Sequence, residues 1–252
     1  MMSKLLNANF YRLKKNLCFW ILLIIMSLLG VYLYINYNGT NPRGCVNCEN
    51  QLGSVFFGYI SFNFLVLPIF TSLFIGSEYS DGLIKNKIIN GHKRTSIYLS
   101  NLFISIIVSF IYSIAYIIFA VIIGLLLKND ITISIHKFIF LLFDTILLNI
   151  AISSLFTFVS ISVSNKARSS IISLVIVIWS MIICSNLFSK VSFASGNIKK
   201  IYEFFLNTIP YGQAIQILDL SDKYNDFWIY SLALIIIINF YGILIINRKE
   251  IN

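Results

Sequence analysis

Residues 95–127 read TSIYLSNLFISIIVSFIYSIAYIIFAVIIGLLL, a run without a single charged side chain. A helix of about 20 apolar residues, rising about 1.5 Å per residue, crosses the roughly 30 Å of hydrocarbon in a bilayer. A run of this length and composition therefore predicts a membrane-spanning helix, not a helix of a water-soluble domain.

Similar runs lie on both sides of it. Together they predict six transmembrane helices, at residues 17–35, 54–76, 97–127, 138–164, 169–189 and 228–247. Of the 252 residues, 58% are hydrophobic and 12% are charged, which is far from the composition of a soluble protein. The remaining residues are too few for a separate soluble catalytic domain. We predict an all-α polytopic membrane protein with a single transmembrane domain, residues 1–252.

The positions of the basic residues predict how the chain crosses the membrane. If successive spans alternate in direction, most of the 19 Lys and Arg residues fall on the side that holds both termini. Cytoplasmic loops carry an excess of Lys and Arg, so we expect both termini in the cytoplasm. The net charge of +9 is then explained by topology, and we expect membrane lipid but no nucleic acid as a partner.

Residues 1–16 precede the first span and mix basic with apolar side chains. The apolar residues recur at steps of four, three and four, at Leu6, Phe10, Leu13 and Leu17. This spacing predicts an N-terminal interfacial helix on the inner membrane surface. A polybasic flank that only fixes the orientation of the first span is the alternative.

A long outer segment, residues 190–227, separates the fifth and sixth spans. Its apolar stretch, residues 204–218, is too short to span the membrane and is interrupted by Pro210. We predict a pair of short extracellular helices that dip into the outer leaflet or cap the bundle. A loop resting on the surface is the alternative.

Residues 77–94 form a long polar segment between the second and third spans. Ser77 or Ser80 is suited to cap a helix there, and Gly91 is suited to end it. Acidic residues come first and basic residues follow, which matches the helix dipole, and two isoleucines one turn apart share a face. The pattern predicts a short cytoplasmic helix that docks a partner, or else an ordinary solvated turn.

This segment resembles a known family. Residues 74–87 read FIGSEYSDGLIKNK, followed by Gly91 and by RTSIYLS at residues 94–100. They are similar to the loop of type-2 ABC exporter permeases of Gram-positive bacteria, which include peptide exporters, bacteriocin or lantibiotic immunity proteins and bacitracin-resistance-like subunits. The resemblance implies a coupling loop at residues 77–94 that touches an ATP-binding subunit, with Glu78 as the family's acidic residue. The predicted ATPase-coupling residues are Glu78, Tyr79, Asp81, Leu83, Ile84, Lys85, Lys87, Ile88, His92 and Arg94.

The resemblance also implies partners and a function. The sequence contains no Gly-x-x-x-x-Gly-Lys-Ser/Thr phosphate loop, so ATP and Mg²⁺ are expected in a separate cytoplasmic ABC ATPase, present in two copies. A second permease copy, identical or related, would complete the pore. We expect a non-enzymatic permease of the bacterial cytoplasmic membrane, without a cofactor of its own, that expels amphipathic antimicrobial or toxin-like peptides. ABC efflux of drugs or lipids is an alternative, and a non-transporting sensor or scaffold subunit is another.

Polar residues inside the predicted spans are candidates for a transport pathway. A charge at membrane depth costs on the order of 2.5 to 3.5 kcal/mol, so Asp144 is expected to face protein or water. It either lines a pathway or lies near the outer interface, in packing or interfacial hydration. Asn149 follows among hydroxyl-bearing residues. Pro68 removes a hydrogen bond to Phe64, which predicts a kink and a candidate hinge in the second span.

Cys45 and Cys48 form a Cys-x-x-Cys pattern in the first outer loop. No further Cys or His lies nearby to complete a zinc site, and we expect no metal. A loop disulfide is the leading interpretation because the outer face is oxidising. A redox-active pair, a zinc site and free thiols are the alternatives.

Overall fold

The structure, a computed structural model, describes residues 2–40, 55–126, 135–219 and 227–249, and these residues form helices and no strand. The helices are α1 (Met2–Lys14), α2 (Leu17–Thr40), α3 (Tyr59–Ser80), α4 (Leu83–Ile89), α5 (Arg94–Leu126), α6 (Ile135–Val163), α7 (Lys166–Phe193), α8 (Gly196–Thr208), α9 (Pro210–Leu218) and α10 (Phe227–Arg248). Within the described ranges, six helices are long and apolar enough to cross a membrane, namely α2, α3, α5, α6, α7 and α10. The prediction of an all-α polytopic membrane protein is confirmed.

Helix α3 lies at the centre of the bundle. It contacts α2, α5, α6, α7 and α9. In its most apolar stretch of 18 residues, 67% is buried, against 17% in the corresponding stretches of α7 and of α10. Its aromatic side chains pack in the core, where the ring of Phe70 lies 5.2 Å from that of Phe74 and 6.3 Å from that of Tyr112. The apolar outer faces of α7 and α10 are therefore the surfaces expected to face lipid.

One end of the bundle collects most of the basic residues, and we call it the basic end. It holds α1, α4, the start of α5, the turn between α6 and α7, and the C-terminal end of α10. Helices approach closely here, because a Cβ atom added at Gly76 would lie only 2.7 Å from the Cα atom of Lys166. Glycine is therefore required where the end of α3 meets the start of α7.

Helix α1 packs on the bundle through a face that differs from the predicted one. Its buried residues are Leu5, Asn9 and Leu13, and α1 packs against α5. Leu17, predicted to continue the apolar face of this helix, is exposed and begins α2. The chain breaks at Asn16, whose side chain accepts a hydrogen bond from the backbone N–H of Cys18 and so caps α2.

The second span ends later than predicted. Helix α3 continues beyond residue 76 to Ser80, so the first residues of the predicted loop at 77–94 belong to a transmembrane helix. Ser77 and Ser80 do not cap the next helix, because their hydroxyl groups donate to the carbonyl oxygens of Phe74 and Ser77 in the same helix. The chain turns instead at Gly82, whose φ of 65° is readily adopted by glycine.

The segment between the fifth and sixth spans contains two short helices, as predicted. Helix α9 begins with Pro210 at a position where proline's missing N–H costs nothing, and it packs against α3, α6 and α7. Its Tyr211 ring lies 5.4 Å from the ring of Phe64, and Ala214 and Ile217 are buried. Helix α9 is therefore part of the bundle and not a loop on its surface, whereas its extracellular position stays a prediction.

Candidate functional site

The candidate site is built around Glu78, in the last turn of α3. Its side chain is 0% exposed and forms ion pairs with Arg12 of α1 and with Lys87 of α4, whose Nζ atom lies 2.5 Å from Oε1. The Nδ2 atom of Asn101 in α5 donates to Oε2 at 2.7 Å. A buried carboxylate is tolerated only when it is paired and hydrogen-bonded, and both conditions are met here.

Asn9 extends this arrangement and joins the same helices. Its Nδ2 atom donates to Asn101 Oδ1 at 3.1 Å, and its Oδ1 atom accepts a hydrogen bond from Lys87 Nζ at 3.1 Å. Arg12 also donates to the carbonyl oxygen of Phe74 and lies over its ring, 3.8 Å from the centroid. We call Asn9, Arg12, Glu78, Lys87 and Asn101 the Glu78 cluster. It links α1, α3, α4 and α5.

Glu78, predicted as an ATPase-coupling residue, is fully buried, and its part in coupling stays a prediction. The residue has no exposed surface in this structure, so any part that it has in coupling runs through α1 and α4, to which it is bonded. Arg12 and Asn101 were not among the predicted site residues. An acid at the end of a span and an arginine in the N-terminal helix expected at the same membrane face were the available signal, and it does not identify which residues pair.

Helix α4 is the short helix that the sequence predicted, but it presents a different face. Ile84 is 1% exposed and packs into the bundle, whereas Ile89 is 72% exposed. Gly91, with φ 81°, ends the helix as predicted: its N–H bonds to Ile88 O, and the N–H of His92 bonds to Lys87 O. Ile84, predicted as an ATPase-coupling residue, is buried in this structure, where α4 packs against α3 and α5.

The outward face of α4 and its flanks is available to a partner. We call it the outer rim. It consists of exposed residues: Asp81, Lys85, Asn86, Ile89, Asn90 and Lys93. Asp81 and Lys85 were predicted, and the others follow once Ile84 and Lys87, one turn apart, face inwards. Leu83, Ile88 and His92 are half-buried at the edges of this face.

Tyr79 and Arg94 stabilise the ends of transmembrane helices. Arg94 donates to the carbonyl oxygens of Ile246 and Asn247, at 3.2 Å each, at the C-terminal end of α10. Tyr79 donates to the carbonyl oxygen of Ile161, near the end of α6, at 3.2 Å. Cations and donors at helix C-termini satisfy carbonyl groups that lack partners in the helix. Any part in coupling that these two predicted residues have runs through the ends of α6 and α10.

The predicted pathway residue Asn149 is engaged in packing between helices. Its Oδ1 atom accepts hydrogen bonds from Asn63 Nδ2 at 2.9 Å and from Ser109 Oγ at 3.1 Å. Asn63 also donates to Ser113 Oγ at 2.8 Å. We call Asn63, Ser109, Ser113 and Asn149 the Asn63 cluster. It joins α3, α5 and α6 inside the bundle.

The other pathway candidates are also enclosed. Asp144 is 4% exposed in α6, and Pro68 is buried within α3, which continues as a helix on both sides of it. A pathway role for Asp144 and a hinge at Pro68 stay predictions.

Cys45 and Cys48 lie outside the described residues. In the part of the chain that is described, no three His, Cys, Asp or Glu residues are grouped to hold a metal ion.

These features define the class of protein. It is a polytopic helical bundle in which a short polar helix is held on one end by buried ion pairs. A model of the family described as ABC-2 family transporter protein matches residues 5–185. The chain therefore belongs to the ABC-2 transporter family, and it is a multi-pass membrane subunit, a permease, of an ABC transporter with an ATPase partner. No curated protein matches the chain.

Proposed function

We propose that this chain is the non-catalytic permease of an ATP-driven exporter and that α4 is the element that contacts the ATPase. The observation that supports this is the Glu78 cluster. It attaches the inner face of α4 to α1, α3 and α5, while the outer rim stays exposed. A partner that shifts α4 would move these helices together, which is what a coupling element must do.

The remaining parts of the transporter follow from the family and from the charge distribution. ATP and Mg²⁺ would bind in the ATPase subunits, two of which would serve two permease copies, identical or related. The basic end would face the cytoplasm of a bacterial cell with both termini, in agreement with the excess of Lys and Arg there. Hydrolysis would then occur directly beneath the outer rim.

For the substrate we propose an amphipathic antimicrobial or toxin-like peptide. The support is indirect. Asn63 and Asn149, two polar side chains inside the bundle, bond to each other and to serine hydroxyl groups between helices. A route would then lie at the surface of the chain, next to a second copy and to lipid, where a substrate dissolved in the membrane can enter. Drugs or lipids that partition into the membrane are the competing substrates.

The docking proposal is tested by co-purification. The tagged chain is isolated from native membranes in mild detergent, and the ATPase recovered with it is quantified for the native chain and for Ile89→Ser. The matched control is Phe193→Ser, because Phe193 is 91% exposed near the opposite end of the bundle. We expect Ile89→Ser to reduce ATPase recovery severalfold and Phe193→Ser to leave it unchanged. Equal recovery with all three chains would refute docking on α4.

The transport proposal needs a separate assay. Proteoliposomes containing the permease and the recovered ATPase are given fluorescent amphipathic peptide, fluorescent lipid or a hydrophobic dye, and movement is followed after ATP addition. We expect ATP-dependent movement of the peptide, and none with an ATPase whose catalytic glutamate is replaced. Movement of lipid or dye alone would reassign the substrate. Peptide binding without movement would favour a sensor or scaffold.

A further inference from the structure

A cavity of about 410 Å³ opens between the C-terminal parts of α6 and α10 at the basic end. Its lining combines basic, hydroxyl-bearing and apolar side chains: Ser162, Tyr241, Leu244, Ile245, Arg248 and Lys249. Its lining shares no residue with the Glu78 cluster or the outer rim.

Along the membrane normal, the lining changes from charged to apolar residues, as a phospholipid changes from headgroup to acyl chain. Arg248 and Lys249 lie at the end of the span, Leu244 and Ile245 lie about one turn deeper, and Tyr241 lies about two turns deeper. Tyr241, Leu244 and Arg248 are exposed on the outside of the bundle. A ligand there would meet charge at the level of the headgroups and apolar surface below.

The positive charges of Arg248 and Lys249 are poorly balanced by the acidic residues described at this end of the bundle. Glu78 is occupied by Arg12 and Lys87. Lys249 donates to the carbonyl oxygens of Ser162, at 2.6 Å, and Ile161, and burial lowers the pKa of this lysine to about 8. An anion beside the ammonium group would offset that desolvation cost.

We propose that this cavity is a binding site for one anionic phospholipid. Its phosphate would contact Arg248 and Lys249, and an acyl chain would lie along Leu244 and Ile245. Basic pockets between transmembrane helices at the cytoplasmic face recognise such headgroups, with each nearby Lys or Arg contributing about fivefold in affinity.

The position of the site connects it to the ends of neighbouring helices. The Nζ atom of Lys249 lies 5.1 Å from the centre of the Tyr79 ring, and Tyr79 donates to the same Ile161 carbonyl oxygen as Lys249 does. Arg94, at the start of α5, binds the last carbonyl groups of α10. A bound lipid would therefore hold the end of α10 against the segment that carries α4.

The test measures lipid retention by the purified chain alone, by native mass spectrometry. The chain is mixed with phosphatidylglycerol or phosphatidylcholine of identical acyl chains. We expect tighter binding of phosphatidylglycerol, and we expect Arg248→Gln to weaken it about fivefold. The matched control is Arg168→Gln, since Arg168 is an exposed arginine near the same end and outside the cavity lining. The control should bind as the native chain does.

Other outcomes overturn the proposal in distinguishable ways. Equal retention of the two lipids, or no effect of Arg248→Gln, would refute the proposed lipid site. Displacement of the lipid by millimolar inorganic phosphate would reassign it to a free anion. Stronger lipid binding by Glu250→Gln, with little by the native chain, would mean that the chain's own carboxylate occupies the cations. Since no ATPase is present, these results do not depend on the proposed coupling function.

Discussion

Two polar clusters both connect α3 to α5, and they do so by different means. The Glu78 cluster lies at the basic end and is charged, with a fully buried carboxylate between Arg12 and Lys87. The Asn63 cluster lies inside the bundle and is neutral, with Asn63 and Asn149 bonded to each other and to serine hydroxyl groups.

The difference reflects the cost of burying charge. At the end of a span, water and headgroups are close enough for two long cationic side chains to reach a carboxylate, and Arg12 and Lys87 keep part of their side chains exposed. Deeper in the membrane, the attraction within an ion pair would have to offset a much larger desolvation penalty. Amide and hydroxyl groups join helices there at little cost in desolvation free energy. The charged cluster thus lies at the end that we propose responds to a partner.

The same contrast predicts different roles for the two clusters. Breaking a buried ion pair by removing one partner is strongly destabilising, whereas hydrogen bonds between transmembrane helices contribute little each. We therefore expect the Glu78 cluster to control both stability and coupling, and the Asn63 cluster to adjust packing. The following substitutions test this comparison, from the largest expected effect to the smallest.

Glu78→Lys should give the largest effect, because it places a third cation between Arg12 and Lys87. We expect a loss of at least about 3–5 kcal/mol in unfolding free energy, together with loss of transport. Denaturant unfolding of the purified chain in detergent measures the first. Asp81→Lys is the matched control, an exposed acid three residues further along, and it should cost little. Similar losses from both variants would contradict a special role for burial.

Arg12→Gln and Lys87→Gln should each have an intermediate effect, because the remaining cation still pairs with Glu78. We expect each to cost on the order of 1–3 kcal/mol, and the double variant to cost more than the sum, since it leaves the carboxylate unpaired. A double-mutant cycle on unfolding free energies measures this coupling. Lys85→Gln, at an exposed position of the same helix, should not couple to Arg12→Gln. Additive losses in the first pair would show that the two cations act independently.

Asn149→Leu should have a smaller effect, because it removes neutral hydrogen bonds and keeps a similar side-chain volume. We expect a loss of about 0.6 kcal/mol and at most about 1.7 kcal/mol. The measurement is the same unfolding assay, with Asn186→Leu as control, since Asn186 is exposed and bonds to its own helix. A loss as large as that of Glu78→Lys would mean that the neutral cluster carries more of the stability than we infer.

Ile89→Ser should have the smallest effect on stability, because the side chain is 72% exposed and few contacts would be lost. We expect an unfolding free energy within about 0.5 kcal/mol of the native chain, despite severalfold weaker recovery of the ATPase. The pair of results would separate docking from folding. A marked loss of stability would show instead that Ile89 is a structural residue of α4.

Both polar clusters lie within the residues that the family model matches, whereas the cations of the proposed lipid site do not. The matched residues, 5–185, include every member of the Glu78 cluster and of the Asn63 cluster. Arg248 and Lys249 lie beyond them. We therefore expect the two clusters to reflect features common to the family, and the lipid site to be a feature of this chain.

The sequence alone predicted the helices that could cross the membrane and the location of the short polar helix. Both depend on local properties. A span requires a run without charge, and the short helix was predicted from the polar segment 77–94 and from Gly91 at its end, although its start after Gly82 was not. The pair of helices α8 and α9 was also predictable, because an apolar stretch interrupted by Pro210 is too short to cross the membrane.

The sequence could not predict which polar side chains meet. Arg12 and Glu78 are 66 positions apart, and Asn101 and Glu78 are 23 apart, so no spacing within one segment shows the cluster. Which face of α4 is buried could not be predicted for the same reason. A helix of seven residues with apolar side chains on more than one side packs according to what α3 and α5 present to it.

What the sequence by itself determined is therefore the partition of the chain between lipid and water, since the hydrophobic free energy of a segment is close to a sum over its own residues. What the tertiary structure decided is that Glu78 is enclosed by ion pairs, that Asn149 bonds between helices, and that Ile89 faces outwards. Each of these depends on partners far away in the chain, because a buried charge or amide is stable only where another helix supplies its counterpart.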